Sequence, residues 1–131
     1  MVSRIKVFEG DDKPDYLKVD LKKRSIRGSF TVYRMKDSNT GQYIMYMPAL
    51  EISGYGGTPE QADFLLRQNM NHFFEHYKHL TDEQIHFELI GLGWKRGWFK
   101  KEYSNLSINP EGCLEGYEVE GKVERLTVTA E

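Results

Sequence analysis

The chain has 131 residues, one cysteine and a net charge of −2, and 39% of its residues are hydrophobic. This length fits one domain with its own core, and the composition excludes a disordered segment, an intrachain disulfide and a strongly basic nucleic-acid-binding domain. No apolar run approaches the roughly 18 residues of a membrane span and no signal-peptide segment is evident, so we expect a soluble cytoplasmic protein.

Alternating and β-branched residues in the first half of the chain predict strands. The predicted strands cover residues 4–8, 16–21, 29–35, 43–47 and 49–53. The third and fourth of these flank the turn residues 37–41, which is the pattern of a β-hairpin. Pro48 has no N–H to donate and should end the second strand of that hairpin.

Capping residues predict the start of a first helix. Thr58 suits the N-cap and Pro59 the first helical position, and Gln61 completes a capping-box pattern. The helix should run to about Leu80. Its apolar stripe, at about 100° per residue, consists of Ala62, Leu66, Met70, Phe73, Tyr77 and Leu80.

Two phenylalanines of this helix, Phe64 and Phe74, point away from the stripe on a helical wheel. Either the rest of the chain covers these rings or they face a partner. Phe74 lies nearer the edge of the core, which favours the first interpretation for it. We therefore expect Leu66 and Phe73 to be buried and Phe64 to be exposed.

A second helix is predicted from Thr81 by another T-x-x-Q pattern, with Ile85, Leu89 and Leu92 as its stripe. Residues 94–101 and 119–129 then predict strands, with a loop over 104–117 between them. The fold class is therefore α+β, a mainly antiparallel β-sheet with two α-helices packed on one face and a C-terminal strand addition. We expect a single domain over 1–131, with a core over 28–94 and a strand-rich extension over 95–131.

A possible metal motif lies on the first helix, where His72, Glu75 and His76 match the H-x-x-E-H pattern of some zinc proteases and His79 follows one turn later. The three histidines lie on one flank of the apolar stripe. No helix is evident after Leu92 to supply the further acidic ligand. We therefore expect solvated histidines and no metal site.

The glycines at 54, 56 and 57 precede a helix, as in some phosphate-binding loops, but they lack a Walker or dinucleotide motif. A tight strand-to-helix turn explains them better. Cys113 has no histidine partner evident in the sequence, so a nucleophilic role is unsupported. We predict no catalytic residue, no cofactor and no enzymatic activity.

Aromatic and basic residues alternate over 94–101, WKRGWFKK, which is a pattern found in proteins that bind single-stranded nucleic acid. The other interpretation is an amphipathic strand, with Trp94 buried against the helices and the lysines in water. Because the chain has no excess of positive charge, single-stranded nucleic-acid binding is kept as the alternative function.

Residues 43–94 resemble the HicB-like antitoxin domain. The resemblance rests on YIMYMPAL at 43–50, the glycine-rich segment at 54–57, TPEQA at 58–62 and LIGLGW at 89–94. It implies a partial ribonuclease-H-like fold without the nuclease carboxylates, and a role in binding and inhibiting a small RNA-cleaving toxin. The C-terminal third departs from the family, because it lacks the usual C-terminal DNA-binding segment.

The sequence therefore predicts a non-enzymatic protein-interaction module. Its expected partner is a small basic, toxin-like protein, and Tyr55, Phe64 and Trp98 are the predicted partner-binding residues. Open sheet edges need to be covered or paired, and HicB-like domains commonly self-associate, so a homodimer is expected.

Overall fold

The chain forms an antiparallel sheet with two helices on one face in the computed structural model, which describes residues 5–9, 15–20, 22, 25–96, 102–105 and 119–130. All strand pairs among these residues are antiparallel, so the predicted α+β class is confirmed. The elements in chain order are β1 (Ile5–Glu9), β2 (Asp15–Asp20), β3 (Ser25–Asp37), β4 (Tyr43–Met47), β5 (Ile52–Gly56), α1 (Pro59–Lys78), α2 (Asp82–Gly91), β6 (Lys95–Arg96), β7 (Glu102–Asn105) and β8 (Val119–Ala130).

The long strand β3 organises the sheet, because two strands share one of its edges. Its residues 25–29 pair with β2, and its residues 33–36 pair with β4 in the predicted hairpin. Along its other edge, β8 pairs with residues 28–37 and is itself flanked by β1. The sheet order is β1-β8-β3-β2-β7-β6, with β4 and β5 extending it beside the second half of β3.

The predicted strand at the C-terminal end of the chain is confirmed as β8, and it lies inside the sheet between β1 and β3. Its register with β3 shifts between Arg34 and Lys36, which marks a β-bulge or a local irregularity. Beside the shift, the Arg34 guanidinium forms an ion pair with Glu124.

Helix α1 begins as predicted, with Thr58 as its N-cap. The Thr58 hydroxyl accepts a hydrogen bond from the Gln61 N–H at 3.2 Å, while the Gln61 side chain accepts one from the Gly57 N–H at 2.9 Å. The first bond satisfies a donor that the first helical turn leaves without a partner in the helix, and the second ties the residue before the N-cap to the same turn. The helix ends at Lys78, two residues before the predicted end.

The buried face of α1 follows the predicted stripe at Ala62, Leu66, Met70 and Tyr77, but it contains Phe74 in place of Phe73. Phe74 is buried, with its ring centroid 6.2 Å from that of Phe30 on β3, whereas Phe73 is half-buried. Phe73 lies on the flank of the core and packs its ring 4.3 Å from Tyr77. The expectation that Phe73 is a fully buried core residue is therefore wrong. Phe74, one helical turn after Met70, occupies the buried position instead.

Glycines let the backbones of β5 and α1 approach closely, and this corrects the interpretation of residues 54–57 as a turn. Gly54 and Gly56 belong to β5. A Cβ atom on Gly54 would lie 2.4 Å from the carbonyl oxygen of Ala62 and from the backbone nitrogen of Leu66. Glycine is required there because only hydrogen fits between strand and helix.

Helix α2 carries the full capping box that its sequence predicts, between Thr81 and Gln84. Its buried residues Ile85 and Leu89 join the core cluster formed by α1 and the inward side chains of β2 to β5. Trp94 follows the helix and is 1% exposed, and its indole N–H donates a hydrogen bond to the Ala49 carbonyl at 2.9 Å. This bond connects the end of α2 to the turn that precedes β5.

Candidate interaction surface

A cleft of about 610 Å³ lies between α2 and the end of the sheet formed by β2, β6 and β7. Its volume is within the range of ligand-binding clefts. The helix contributes one wall and the strands the other. The lining residues are Val19, Asp20, Lys22, Asp82, Glu83, Ile85, His86, Phe87, Ile90, Arg96 and Tyr103.

The helical wall of the cleft exposes two large apolar side chains. Ile85 and Leu89 point into the core, so the helical periodicity turns Phe87 and Ile90 outward. Phe87 is 81% exposed and Ile90 is 48% exposed. Single exposed apolar residues are ordinary, but an adjacent pair beside a cleft is typical of an interaction site.

A hydrogen-bonded trio forms the strand wall of the cleft. The Arg96 guanidinium donates from Nε and Nη2 to the Tyr103 hydroxyl, at 3.3 and 3.0 Å, and lies 5.6 Å from the centroid of that ring. The hydroxyl also lies 3.2 Å from His86 Nδ1. Arginine can only donate, so the Tyr103 oxygen accepts from Arg96 and its O–H can donate to an unprotonated Nδ1.

The charges of the cleft are distributed unevenly between its walls. Helix α2 contains Asp82, Glu83 and Glu88 and has no lysine or arginine. Within the part of the chain that the structure describes, Asp82 and Glu83 form no ion pair. Two cations, Lys22 and Arg96, stand on the opposite wall. The helical wall is therefore acidic.

The opposite flank of α2 packs on a buried tyrosine. The Tyr77 hydroxyl makes no hydrogen bond to any described residue, although the side chain is completely buried. Burial raises the pKa of Tyr77 above its ordinary value, and the nearby Glu88 carboxylate raises it further. Glu88 also lies 3.7 Å from His76 Nε2 at the surface.

The histidines of the H-x-x-E-H pattern, His72 and His76, are exposed on α1 as expected, and so is His79 at the C-cap of the helix. No three metal-binding side chains of the described residues converge on one point. The expectation that the purified protein carries no stoichiometric zinc stays a prediction. Cys113 lies outside the described residues.

Two of the predicted partner-binding residues, Tyr55 and Phe64, lie on different surfaces. Phe64 is 62% exposed on α1, as predicted, and Tyr55 is more than half exposed on β5. Because Gly54 faces α1, strand alternation turns Tyr55 to the opposite face of the sheet, away from Phe64. Trp98 lies outside the described residues.

The most exposed apolar side chain of the described residues, Phe87, was not singled out from the sequence. The available signal was an apolar pair, Phe87 and Ile90, lying off the Ile85–Leu89 stripe of a short helix. That pattern does not reveal whether another element covers the pair.

The basic and aromatic segment at 94–101 is only partly described. Trp94 is buried, which agrees with the amphipathic interpretation of this residue and removes its ring from any stacking surface. Lys95 and Arg96 are exposed. Residues 97–101 lie outside the described residues, so nucleic-acid binding by this segment stays a prediction.

No family model, curated protein or solved structure matches the chain. The HicB-like resemblance of residues 43–94 therefore stays a prediction from sequence motifs. Neither described helix combines the length and the apolar character needed to cross a membrane.

Proposed function

We propose that this protein is a non-enzymatic, cytoplasmic protein-interaction module whose partner is a small basic protein. The observation that carries the proposal is the pair Phe87 and Ile90, exposed together on an acidic helix at the rim of a cleft. A small RNA-cleaving toxin of the kind implied by the HicB-like resemblance would be one such partner.

The energetics of burial support a protein as partner. Covering a fully exposed phenylalanine or isoleucine stabilises a complex by about 1.5–3 kcal/mol per side chain before the entropy of association is subtracted. Phe87 extends into solvent, and a flat or convex protein surface can cover it. Carboxylates around such an apolar centre favour partners with lysine and arginine at matching positions.

We propose that the module is a homodimer, and the edge of β5 supports this. Among the described strands, β5 pairs only with β4, and none of its five residues is charged. Asn69 Nδ2 donates to the Ser53 carbonyl at 2.7 Å, which covers part of this edge. An uncharged edge strand is a ready template for pairing with a second copy. Light scattering should then give about twice the monomer mass of 15.3 kDa.

Affinity capture tests the partner. The tagged chain, produced in its native host, should recover one small protein rich in lysine and arginine, in a stoichiometric complex that persists in gel filtration. Tagged chain carrying a core-disrupting change, Leu66→Asp, serves as the control for recovery by an unfolded protein. Recovery of the tagged chain alone would overturn the proposed function.

A further inference from the structure

We propose that the cleft beside α2 binds a basic amphipathic segment of the partner. In this arrangement an apolar side chain packs on Phe87 and Ile90, and flanking lysines or arginines contact Asp82 and Glu83. The inference rests on the proposed function and deepens it, because it names the surface and the chemistry of the segment that the surface recognises.

The exposure of two apolar side chains at the cleft indicates that the occupant also presents an apolar side chain. Phe87 and Ile90 form the outer rim of the cleft, while Ile85 and Val19 close its floor as buried residues. A small molecule within the cleft would leave most of the protruding Phe87 ring in water. A polypeptide segment lying across the rim would cover both side chains and also reach the floor.

The basic character follows from the charges of the lining, which has two cations, Lys22 and Arg96, and three carboxylates, Asp20, Asp82 and Glu83. Two hydrogen bonds and a ring contact hold the Arg96 guanidinium at Tyr103 on the strand wall. Asp82 and Glu83 have no ion pair among the described residues, and they stand in the first turn of α2 next to its exposed apolar pair. An incoming lysine or arginine would meet these carboxylates while its aliphatic stem lies on Phe87.

His86 can add a polar contact to this occupant. Its Nδ1 lies 3.2 Å from the Tyr103 hydroxyl, so Nε2 is the ring nitrogen left for a bound segment. A carbonyl oxygen of the segment can accept a hydrogen bond from Nε2 when that nitrogen carries the proton. A hydrogen bond from His86 would then orient the bound segment, and the helical wall would contribute negative charge and apolar contact area.

Fluorescence anisotropy with defined peptides tests the inference. The probe is a short labelled peptide of leucine and lysine arranged amphipathically, compared with a leucine–glutamate peptide and a serine–lysine peptide of equal length. The leucine–lysine peptide should bind at least about tenfold more tightly than either control, a difference of about 1.4 kcal/mol. Equal binding of the leucine–lysine and leucine–glutamate peptides would overturn the inference.

Variants locate the binding. The double variant Phe87→Ser and Ile90→Ser should lose about tenfold or more in affinity for the leucine–lysine peptide. The double variant Asp82→Asn and Glu83→Gln should bind more weakly and show a smaller dependence on salt. Tyr16→Ser, at an exposed site on the face of β2 opposite Val19, is the control and should bind like wild type. Wild-type affinity in the Phe87/Ile90 variant would place the site elsewhere and overturn the inference.

The two proposals can fail separately. If the captured native partner binds the Phe87/Ile90 variant as tightly as wild type, the cleft assignment is wrong while the interaction module stands. If wild type captures no protein from its host, the proposed function itself is wrong. Circular dichroism of each variant verifies that it is folded before its affinity is interpreted.

Discussion

The carboxylate of Asp15 accepts hydrogen bonds from both the backbone N–H and the hydroxyl of Thr31. The distances are 3.0 Å from the N–H to each carboxylate oxygen and 2.8 Å from the hydroxyl. Thr31 lies on β3 between the segment paired with β2 and the segment paired with β4. The side chain of Asp15 therefore occupies the place where a neighbouring strand would otherwise pair.

Replacing this buried carboxylate should destabilise the fold. Asp15→Ala leaves the Thr31 N–H and hydroxyl without their acceptor, and a hydrogen bond to a charged group contributes about 1.5–3 kcal/mol. We expect the free energy of unfolding to fall by about 3 kcal/mol in urea denaturation.

Asp37 provides the matched control for this prediction. Its carboxylate accepts from the N–H of Thr40 at 3.0 Å and from its hydroxyl at 2.6 Å, in an exposed turn. The Thr40 hydroxyl holds the pKa of Asp37 below its ordinary value. Water can replace an exposed acceptor, so Asp37→Ala should lower stability much less. Similar losses in both variants would contradict a special role for Asp15.

The close contact between β5 and α1 predicts a large difference between two glycine substitutions. Gly54→Ala places a methyl group 2.4 Å from backbone atoms of α1 and should lower the free energy of unfolding by about 1–3 kcal/mol or more. Gly91→Ala meets no heavy atom within 4 Å at the end of α2, so stability should be unchanged or rise by up to about 1 kcal/mol. Thermal and urea denaturation distinguish the two outcomes. If Gly54→Ala left the free energy of unfolding unchanged, β5 and α1 would be able to move apart at little cost, contrary to the prediction.

The three phenylalanines of α1 differ in burial, so their alanine variants should differ in stability. Phe74→Ala removes a fully buried ring and should lower the free energy of unfolding by about 3–5 kcal/mol. Phe73→Ala, at a half-buried position, should have an intermediate effect, and Phe64→Ala should change stability by less than about 0.5 kcal/mol. All three changes introduce alanine into the same helix, so helix propensity contributes similarly to each. A larger loss for Phe73→Ala than for Phe74→Ala would show that the helix face is assigned incorrectly.

Tyr77 predicts a loss of stability in alkaline solution. Its folded-state pKa lies above the unfolded value of about 10, so the folded protein disfavours ionisation of the phenol. Stability therefore has its full value below the unfolded pKa and declines as the pH rises from the unfolded pKa through the folded one. Tyr77→Phe should therefore flatten the decline above about pH 10.

At neutral pH, Tyr77→Phe should leave stability unchanged or increase it, because the buried hydroxyl makes no hydrogen bond to a described residue. Urea denaturation over a pH series measures both effects. Tyr55→Phe, at a largely exposed position, is the control and should retain the wild-type profile. An unchanged alkaline profile in Tyr77→Phe would mean that other groups cause the decline.

Local signals in the sequence predicted the elements well. Thr58, Thr81 and Gln84 form the predicted caps because capping depends on residues within one helical turn. Strand alternation likewise puts Leu17 and Val19 on one face of β2, and both are buried. These features depend little on the rest of the chain.

Contacts between distant segments could not be predicted in the same way. Periodicity placed Phe73 instead of Phe74 in the stripe, because the choice depends on where the sheet lies beneath the helix. The role of Gly54 requires knowledge of how closely α1 approaches, and the exposure of Phe87 requires knowledge of what covers α2. The cleft combines residues from four separate segments, so no single motif describes it.

The position of β8 has a consequence for biosynthesis. Because β8 pairs with both β1 and β3, the amino-terminal strand and one long edge of β3 gain their described partner only after residues 119–130 have been made. Sheets joined by such distant pairings fold slowly. We expect nascent chains that lack this segment to remain sensitive to protease on the ribosome, so chaperones would meet an incomplete sheet throughout translation.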